Sequence, residues 1–336
     1  MVIIASVPIP DGELAALCDL VTPMVMRATV ALGLADALAT RPRPVEAVAE
    51  ELGVDAAALT RLVAFLAARG VVAVDPSGGD DGRRVVRLTE RGAPLAAAEP
   101  GGSWPSQLDW AGAAGHLDRM FVESLLPALR TGRCRHDVWA TLDGSLGRSF
   151  DELMAARAVE WVPPVVELGL WADVRRVVDV GGGRGHLLRA LLSAWPHLEG
   201  TLVERSGPAA WAAREAHPRL AVVVGDLRAD PPPGRDAYVL AHVLHDWPDE
   251  AAAGILRGAG RAAADDGRVL VVERLLDDPA TRRETTHQDL RMLVLFGGRE
   301  RTRDQFAALG AAAGLRLSGT AATGAGRHVL TFRIDP

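Results

Sequence analysis

The sequence has few of the features that would place a chain in a membrane, in an oxidising compartment or on nucleic acid. It contains two cysteines in 336 residues, Cys18 and Cys134, too few for a disulfide framework or for a cysteine-based zinc site. No apolar run reaches about 18 residues without a charge or a proline, so we expect no membrane-spanning helix. The formal net charge of −6 argues against broad binding to nucleic acid.

The first 14 residues also lack the pattern of a secretory signal, a basic region followed by a sustained apolar run. Hydrophobic residues make up 49% and charged residues 24% of the chain, which is typical of a soluble globular protein. The length favours two domains rather than one. We therefore expect a cytoplasmic protein with more than one domain.

A glycine-rich turn near the middle of the chain organises the rest. The apolar, β-branched run at residues 177–180 predicts a strand, and four glycines follow between positions 181 and 185, among them Gly181 and Gly183. Leucines at positions 187, 188, 191 and 192 then recur at helical spacing. Such a turn lets a ligand approach the backbone closely, and the helix after it offers unpaired N–H groups.

Three acidic residues near the ends of successive predicted strands indicate the class of ligand. Asp179 precedes the glycine turn, Glu204 ends the next predicted strand, and Asp226 ends the one after it. Glu204 alone does not discriminate, because a nicotinamide-binding fold also has an acid about 20 residues beyond its glycines. Three acids, however, suit a ligand with a ribose, an adenine amine and a cation, and they do not suit a pyrophosphate. S-adenosylmethionine (SAM) has this make-up.

The N-terminal residues 13–98 predict a small, mainly helical domain. Its first helical stripe, which runs from Leu14 to Leu32, is too apolar for a lone surface helix, so we expect a homodimer. Further on, Pro44 opens a helix, Gly53 ends it and Asp55 caps the next one. Two β-like runs around residues 77–82 would form the wing of a winged-helix unit. Such a unit could bind DNA, but its predicted recognition surface is acidic, which favours a dimerisation or lid domain.

Residues 99–174 predict a helical region that leads into the cofactor-binding part. A helix is expected here, with a break at Pro163 and Pro164 before the first strand. Phe150 and Met154 directly precede the cofactor-binding part, and we assign them to substrate contact.

Titratable residues crowd together after the fourth predicted strand, which ends near Leu240; they are His242, His245, Asp246, Asp249 and Glu250. In open α/β sheets ligands bind at this carboxyl edge. A helix at residues 250–264 follows, ended by Asp265-Asp266-Gly267, and the fifth predicted strand at 269–273 ends in Glu273. His242, His245 and Asp246 could also be metal ligands, so a metal site stays open as an alternative.

The motifs DVGGGRG, LVE, GDL, HDWPDE, VVE and GGRERT occur in the order and approximate spacing of the plant caffeate-type and bacterial polyketide (anthracycline-type) O-methyltransferases. The whole chain resembles that family. The resemblance implies an α/β fold: a Rossmann-like methyltransferase domain with a seven-stranded, mostly parallel sheet at residues 175–336. It also implies a winged-helix-like dimerisation domain at residues 1–98 and a helical linker and substrate lid at 99–174. The implied activity is SAM-dependent methylation of a phenolic or similar hydroxyl on a small aromatic acceptor, with S-adenosylhomocysteine as product.

The resemblance also implies roles for individual residues. His245 corresponds to the general base, Glu273 and Glu300 correspond to its supporting acids, and no metal is required. The residues implied for cofactor binding are Asp179, Gly181, Gly183, Glu204, Asp226, Leu227 and Ala241. Besides Phe150 and Met154, we assign Asp246 and Met292 to substrate binding. Leu227 departs from the family pattern, since an aromatic residue that stacks on adenine is common there.

Two other functions remain open from the sequence. The chain could be a SAM-binding relative that carries out N- or C-methylation or a non-methylating reaction, or more remotely a winged-helix regulator. The presence of His245, Glu273 and Glu300 together favours O-methylation.

Overall fold

The computed structural model describes residues 11–75, 84–97, 104–215 and 217–334. The chain divides into two compact units, Met1–Gly115 and His116–Pro336. The two β-like runs predicted for the wing form antiparallel strands at Val72–Asp75 and Val85–Leu88, while residues 77–82 between them and the predicted domain boundary between 98 and 99 lie outside the described residues. Within the described ranges, every helix is too short or too polar to cross a membrane.

The first unit combines short helices with a small antiparallel sheet. Its elements are α1 (Asp11–Leu17), α2 (Val21–Ala31), α3 (Leu34–Leu38), β1 (Arg43–Pro44), α4 (Val45–Leu52), α5 (Ala56–Ala67), β2 (Val72–Asp75), β3 (Val85–Leu88) and α6 (Trp104–Leu108). The strands lie in the order β1-β3-β2. Gly53 ends α4 with a φ of 65°, and the side chain of Asp55 accepts a hydrogen bond from the Ala58 N–H at 2.7 Å to cap α5, as predicted.

The N-terminal apolar stripe is divided between two helices, whereas the sequence suggested one. Asp19 lies in the break, and its carboxylate accepts hydrogen bonds from the N–H groups of Val21 and Thr22, so it starts α2 as a capping residue. Leu14, Leu17 and Val21 are 52%, 70% and 58% exposed. The first two helices therefore expose several large apolar side chains.

The second unit is built on a seven-stranded sheet. Helix α7 (Ala113–Thr131) spans the division between the units, and the elements after it are α8 (Val138–Thr141), α9 (Gly144–Val166), β4 (Arg176–Val180), α10 (His186–Ala194), β5 (Glu199–Glu204), α11 (Ser206–Arg214), β6 (Leu220–Val224), β7 (Arg235–Ala241), α12 (Asp249–Ala262), β8 (Ala263–Glu273), α13 (Arg282–Leu295), α14 (Arg303–Ala312), β9 (Leu315–Ala322) and β10 (His328–Ile334). The strand order is β6-β5-β4-β7-β8-β10-β9. The first five strands are parallel, and β10 is antiparallel to both of its neighbours. The predicted α/β class and the seven-stranded, mostly parallel sheet are confirmed.

Two local predictions were wrong. Pro163 and Pro164 do not break their helix: α9 continues through both and ends at Val166, and the Glu167 N–H still donates to the carbonyl of Pro163 at 3.1 Å. The run Asp265-Asp266-Gly267 does not end helix α12 either. That helix ends at Ala262, and the run belongs to β8, where a register shift between Arg235 and Ala237 accommodates the extra residues.

The sheet topology brings the two key turns together. Strand β4 lies between β5 and β7, so the chain leaves β4 towards one edge of the sheet and returns to β7 on its other side. This reversal is a topological switch point, where open α/β sheets bind their ligands. The glycine turn after β4 and the histidine-containing turn after β7 therefore lie side by side at the carboxyl edge.

Candidate active site

The turn after β4 exposes its backbone to a ligand. Gly181 and Gly183 have φ values of 78° and 59°, a region that favours glycine, and the Gly181 N–H donates to the carbonyl of Val203 at 2.8 Å. A Cβ on Gly182 would overlap the carboxylate of Asp179, whereas a Cβ on Gly183 would have no heavy atom within 4 Å. The backbone therefore packs closely against Asp179 at Gly182, whereas at Gly183 it leaves space beside the chain.

Two buried carboxylates flank this turn. Both oxygens of Asp179 are buried without a hydrogen-bond partner among the described residues, and burial together with the nearby Glu204 raises the pKa of Asp179 to about 7. Glu204 accepts hydrogen bonds from the N–H groups of Gly183 at 3.0 Å and Arg205 at 2.8 Å, and burial raises its pKa. A ligand with a cationic or hydrogen-donating group fits the unsatisfied oxygens of Asp179, because an uncompensated buried carboxylate is costly.

The other predicted cofactor residues differ in their surroundings. Asp226 is exposed, and Arg228 binds its two oxygens, with a closest contact of 2.7 Å that lowers the pKa of this carboxyl. Leu227 packs against the core, and a Cβ on Gly181 would lie 3.3 Å from its methyl groups. Ala241 is the half-buried last residue of β7. Leu227 thus lies beside the glycine turn, and Ala241 lies at the end of the strand next to it. Asp226, unlike Asp179 and Glu204, is exposed.

Arg184 is a residue of the glycine turn that the sequence did not single out. It is buried, its Nε lies 3.5 Å from Asp151, and its Nη2 donates to the carbonyl of Arg148 at 3.2 Å. Its guanidinium also lies 4.6 Å from the ring centroid of Trp211. These contacts tie the first turns of α9 to the glycine turn. Only its position inside the glycine motif could have signalled this role.

The turn after β7 holds His245 between two buried acids. Its Nδ1 lies 2.9 Å from Glu300 Oε1 and 3.3 Å from Glu273 Oε2, and its backbone N–H donates to Glu273 Oε1 at 3.3 Å. Asp246 lies 3.7 Å from the other ring nitrogen, Nε2. Glu273 and Glu300 are fully buried. The structure therefore brings together His245, Asp246, Glu273 and Glu300, which the sequence places in three separate motifs.

These acids change the proton affinity of the ring. Burial alone would lower the pKa of His245, but the carboxylates of Glu273 and Glu300 outweigh burial and raise this pKa to about 10. Burial raises the pKa of Glu273 to about 7 and that of Asp246 to about 6. His242 is different, because burial and the nearby positive charges lower its pKa well below the usual value. A shared proton in this cluster thus resides on His245.

A second set of contacts, absent from the sequence predictions, fixes the histidine turn in place. The buried guanidinium of Arg301 donates to Asp249 and to the carbonyls of Leu244 and Trp247, each at 2.9 Å. The Arg299 N–H donates to the carbonyl of His245 at 2.9 Å. The motif GGRERT therefore positions the whole turn as well as supplying Glu300. The proximity of Arg301 to Glu300 in the sequence was the only available signal.

Close backbone packing joins the same two motifs. A Cβ on Gly298 would overlap the carbonyl oxygen of His245 and the backbone of Asp246 and Trp247. The Glu300 N–H donates to Asp289 at 2.8 Å, which holds the acid from the other side. Only glycine at position 298 lets the two segments lie this close.

The predicted substrate residues lie on α9 and α13. Phe150 packs edge-on against Trp139, with ring centroids 5.7 Å apart, and Trp139 also lies 5.2 Å from Phe296. Met154 is half-buried on α9, and Met292 is buried on α13. The sequence did not single out Trp161, whose ring lies 4.9 Å from that of His242. Phe150 thus belongs to an aromatic group, and α9 reaches the histidine turn through Trp161.

Three residues of the cluster lie close enough together to hold a metal ion, the alternative that the sequence left open. One possible ligand atom each from His242, His245 and Glu273 lies within 4.8 Å of the others. Glu273, rather than the Asp246 suggested by the sequence, completes this set. Because Nδ1 of His245 is hydrogen-bonded to Glu300 and the ring binds its proton tightly, the cluster favours an imidazolium over a cation ligand.

Comparison with known proteins adds two family matches. The model of the O-methyltransferase domain matches residues 143–316, and that of the O-methyltransferase dimerisation domain matches residues 15–97. Two relatives are similar over most of their length. The aclacinomycin 10-hydroxylase RdmB of Streptomyces purpurascens is 38% identical, covering 96% of this chain and 89% of its own. The 2,7-dihydroxy-5-methyl-1-naphthoate 7-O-methyltransferase of Streptomyces carzinostaticus is 39% identical, covering 90% and 92%.

A solved structure is similar over the whole chain. The O-methyltransferase NcsB1 from neocarzinostatin biosynthesis, crystallised with S-adenosyl-L-homocysteine and 1,4-dihydroxy-2-naphthoic acid, is 35% identical. The alignment covers 97% of this chain and 100% of that chain, with a TM-score of 0.84.

Proposed function

The chain belongs to the O-methyltransferase family, whose members use SAM, and we propose that it methylates a small aromatic natural product. The methyl group would go to a phenolic hydroxyl, with His245 as the base. One observation carries the proposal: Glu300 and Glu273 hold Nδ1 of His245, which leaves Nε2 to face an acceptor. This nitrogen lies at the sheet edge shared with the glycine turn, so a base and a methyl donor would meet there. The aromatic acceptor is supported by the naphthoate named for one relative and bound in NcsB1.

We assign the cofactor to the turn after β4. When bound, SAM supplies a methyl group on a sulfonium, and its transfer is an in-line displacement that depends mainly on positioning. Asp179 would bind a cationic or N–H group, and Glu204 would accept hydrogen bonds from ribose hydroxyls. Asp226, Leu227 and Ala241 would lie beside the adenine. The unsatisfied oxygens of Asp179 and the open backbone at Gly183 support this arrangement.

The role of His245 follows from its proton affinity. A phenol has a pKa near 10, as tyrosine does, and the two acids raise the pKa of His245 to the same range. The ring can therefore accept the proton of the hydroxyl, and the resulting imidazolium stabilises the phenolate that attacks the methyl group. Glu300 fixes the tautomer by accepting from Nδ1, so Nε2 is the nitrogen that exchanges the proton.

The proposal is tested with methyl-labelled SAM and a panel of phenols of different acidity. We expect labelled methyl ethers, and we expect His245→Ala to lower turnover by roughly 10²- to 10⁴-fold, the usual contribution of a positioned base. His136→Ala replaces an exposed histidine and is the control, with unchanged turnover expected. Near-normal turnover of His245→Ala on a phenol with a pKa near 10 would contradict the role of His245.

A non-methylating reaction is the second candidate, because RdmB is named a hydroxylase at 38% identity. N- or C-methylation by the same fold remains a further alternative. The panel distinguishes these outcomes. A hydroxylated product would contain a new oxygen and no label, and an N- or C-methylated product would keep its label under conditions that cleave phenol ethers.

We also propose that the first unit is a winged-helix-like dimerisation domain rather than a DNA reader. Its exposed apolar side chains Leu14, Leu17 and Val21 support burial against a second subunit. Helix α4 exposes Glu46 and Glu50, which does not suit a phosphate backbone. The domain limits proposed from the sequence, 1–98, 99–174 and 175–336, belong to the same proposal. A cytoplasmic location is supported by the free thiols of Cys18 and Cys134.

A further inference from the structure

Four arginines lie close enough for their charges to act on one another, and three of them also act on His242 in the histidine turn. Arg157 lies on α9, Arg274 directly after Glu273, Arg291 on α13, and Arg327 directly before β10. His328, the residue after Arg327, is paired with Glu273 in the sheet register. Arg274 and Arg327 are therefore next in the chain to Glu273 and His328, and Glu273 is one of the two acids that hold His245.

Too few acids accompany these arginines to balance their charge. Asp118 pairs with Arg291 at 2.9 Å, and Glu160 pairs with Arg327 at 3.4 Å. Burial and the charges of Arg291, Arg327 and Arg274 lower the pKa of Arg157 to about 10, although the carboxylate of Asp118 opposes this shift. Nε of the buried Arg327 has no hydrogen-bond partner among the described residues. The cluster therefore holds four guanidiniums and two paired acids, and a positive charge that is partly removed from water without full compensation is costly.

Three arginines of the cluster lie close to His242. Arg157, Glu160 and Trp161 occur at positions i, i+3 and i+4 of α9, so they share one face of that helix. Glu160 contacts Arg327, and Trp161 contacts His242 with ring centroids 4.9 Å apart. The positive charges of Arg157, Arg274 and Arg327 also help to lower the pKa of His242, which is consistent with their closeness to it.

We infer that the acceptor carries a carboxylate, which Arg157 binds together with Arg274 and Arg327 beside His242, and that this contact orients the reacting hydroxyl towards His245. A guanidinium matches a carboxylate with two parallel hydrogen bonds, so such a contact fixes the angle of the acceptor as well as its position. The inference rests on the proposed function, because it specifies the acceptor of that site. It makes Arg157 a residue that determines substrate specificity.

The test compares matched pairs of ligands that differ only in charge. Calorimetry measures the binding of hydroxynaphthoic and hydroxybenzoic acids and of their carboxamides to the complex with S-adenosylhomocysteine. We expect the best acid to bind roughly 10- to 100-fold more tightly than its amide, the range for a charge-assisted hydrogen bond. Arg157→Gln should abolish this preference, and Arg157→Lys, which keeps the charge, should retain much of it. Arg283→Gln, at an exposed site of α13, is the control and should keep the wild-type preference.

Several outcomes would overturn the inference. They are equal binding of acids and amides, absence of binding by every acid in the panel, and an unchanged preference in Arg157→Gln. A loss of S-adenosylhomocysteine affinity in Arg157→Gln would also overturn it, because the anion would then be the cofactor's own carboxylate. Transfer to neutral naphthols without any preference for acids would refute the inference and leave the proposed function intact. A clear preference for acids without transfer to any hydroxyl would support the carboxylate site and refute the proposed O-methylation.

Discussion

At the scale of single residues, the proton on His245 decides the pH dependence of the reaction. With the pKa of this ring raised to about 10, both the ring and a phenol of similar pKa are protonated near neutrality, so one proton must leave the pair before His245 can hold the other and the phenolate can attack. For an acceptor with a pKa near 10, kcat/KM should rise about tenfold per pH unit between roughly pH 6 and 9. For a more acidic acceptor the rise should end near that acceptor's own pKa. An inflection near pH 6.5 for every acceptor would show instead that His245 titrates as an ordinary histidine.

The variant His245→Gln separates the loss of the base from a loss of folding stability. Removing the ring in His245→Ala leaves two buried carboxylates without their cation, which destabilises a protein by roughly 3–5 kcal/mol. His245→Gln can still donate to Glu300, so it should unfold at a temperature closer to that of the wild type. Both variants should lose turnover to a similar extent. A His245→Gln enzyme with normal turnover would assign the histidine a structural role only.

Asp179 gives a second prediction at the residue scale. Its pKa is raised to about 7, so below that pH it is mostly protonated and neutral. A cationic ligand binds the ionised form, so SAM affinity should fall as the pH drops through 7, by up to about tenfold per pH unit. Asp179→Asn should bind SAM weakly with little dependence on pH, as followed by calorimetry between pH 5 and 8. A wild-type affinity that stays constant over this range would remove Asp179 from the cation site.

At the scale of secondary-structure elements, Gly298 tests whether the two motifs act as one unit. A Cβ at this position would overlap the backbone at His245 and Asp246, so Gly298→Ala must push the two segments apart. We expect a loss of stability of about 1–3 kcal/mol and a large fall in turnover with nearly unchanged SAM affinity. Gly254→Ala is a matched control on α12, because a Cβ there has no heavy atom within 4 Å. Equal turnover of the two variants would show that the backbone packing at Gly298 does not position His245.

The same elements show how far the sequence could be interpreted. The positions of the glycine turn, Glu204 and Glu273 at strand ends, and of His245 in the turn after β7, were predictable because local patterns mark where each strand ends. The contacts of Arg301 and the grouping of Arg157 with Arg274, Arg291 and Arg327 were not, since they depend on segments distant in the chain. The run Asp265-Asp266-Gly267 was assigned wrongly because its residue types favour turns, while pairing with β7 places the start of β8 at Ala263.

At the scale of the whole molecule, the exposed apolar residues of α1 and α2 predict assembly. Burying Leu14, Leu17 and Val21 in a two-fold interface would explain why they are exposed in one chain. Leu17→Glu places a charge in that interface and should shift the protein towards a monomer in analytical ultracentrifugation. Ala57→Glu, an exposed site on α5, is the control. Wild-type protein that is monomeric at micromolar concentration, or a Leu17→Glu protein that stays dimeric, would argue against this interface.

The close approach at Gly298 also bears on how chains of this kind diverge. A chain that keeps equivalents of His245, Glu273 and Glu300 but has any larger residue at the position of Gly298 could not build the same pair of turns. Its catalytic residues would be present in the sequence and misplaced in space. The residue at this position therefore predicts, before any assay, which relatives of this protein catalyse the same reaction. Relatives with a larger residue there are expected to catalyse a different one.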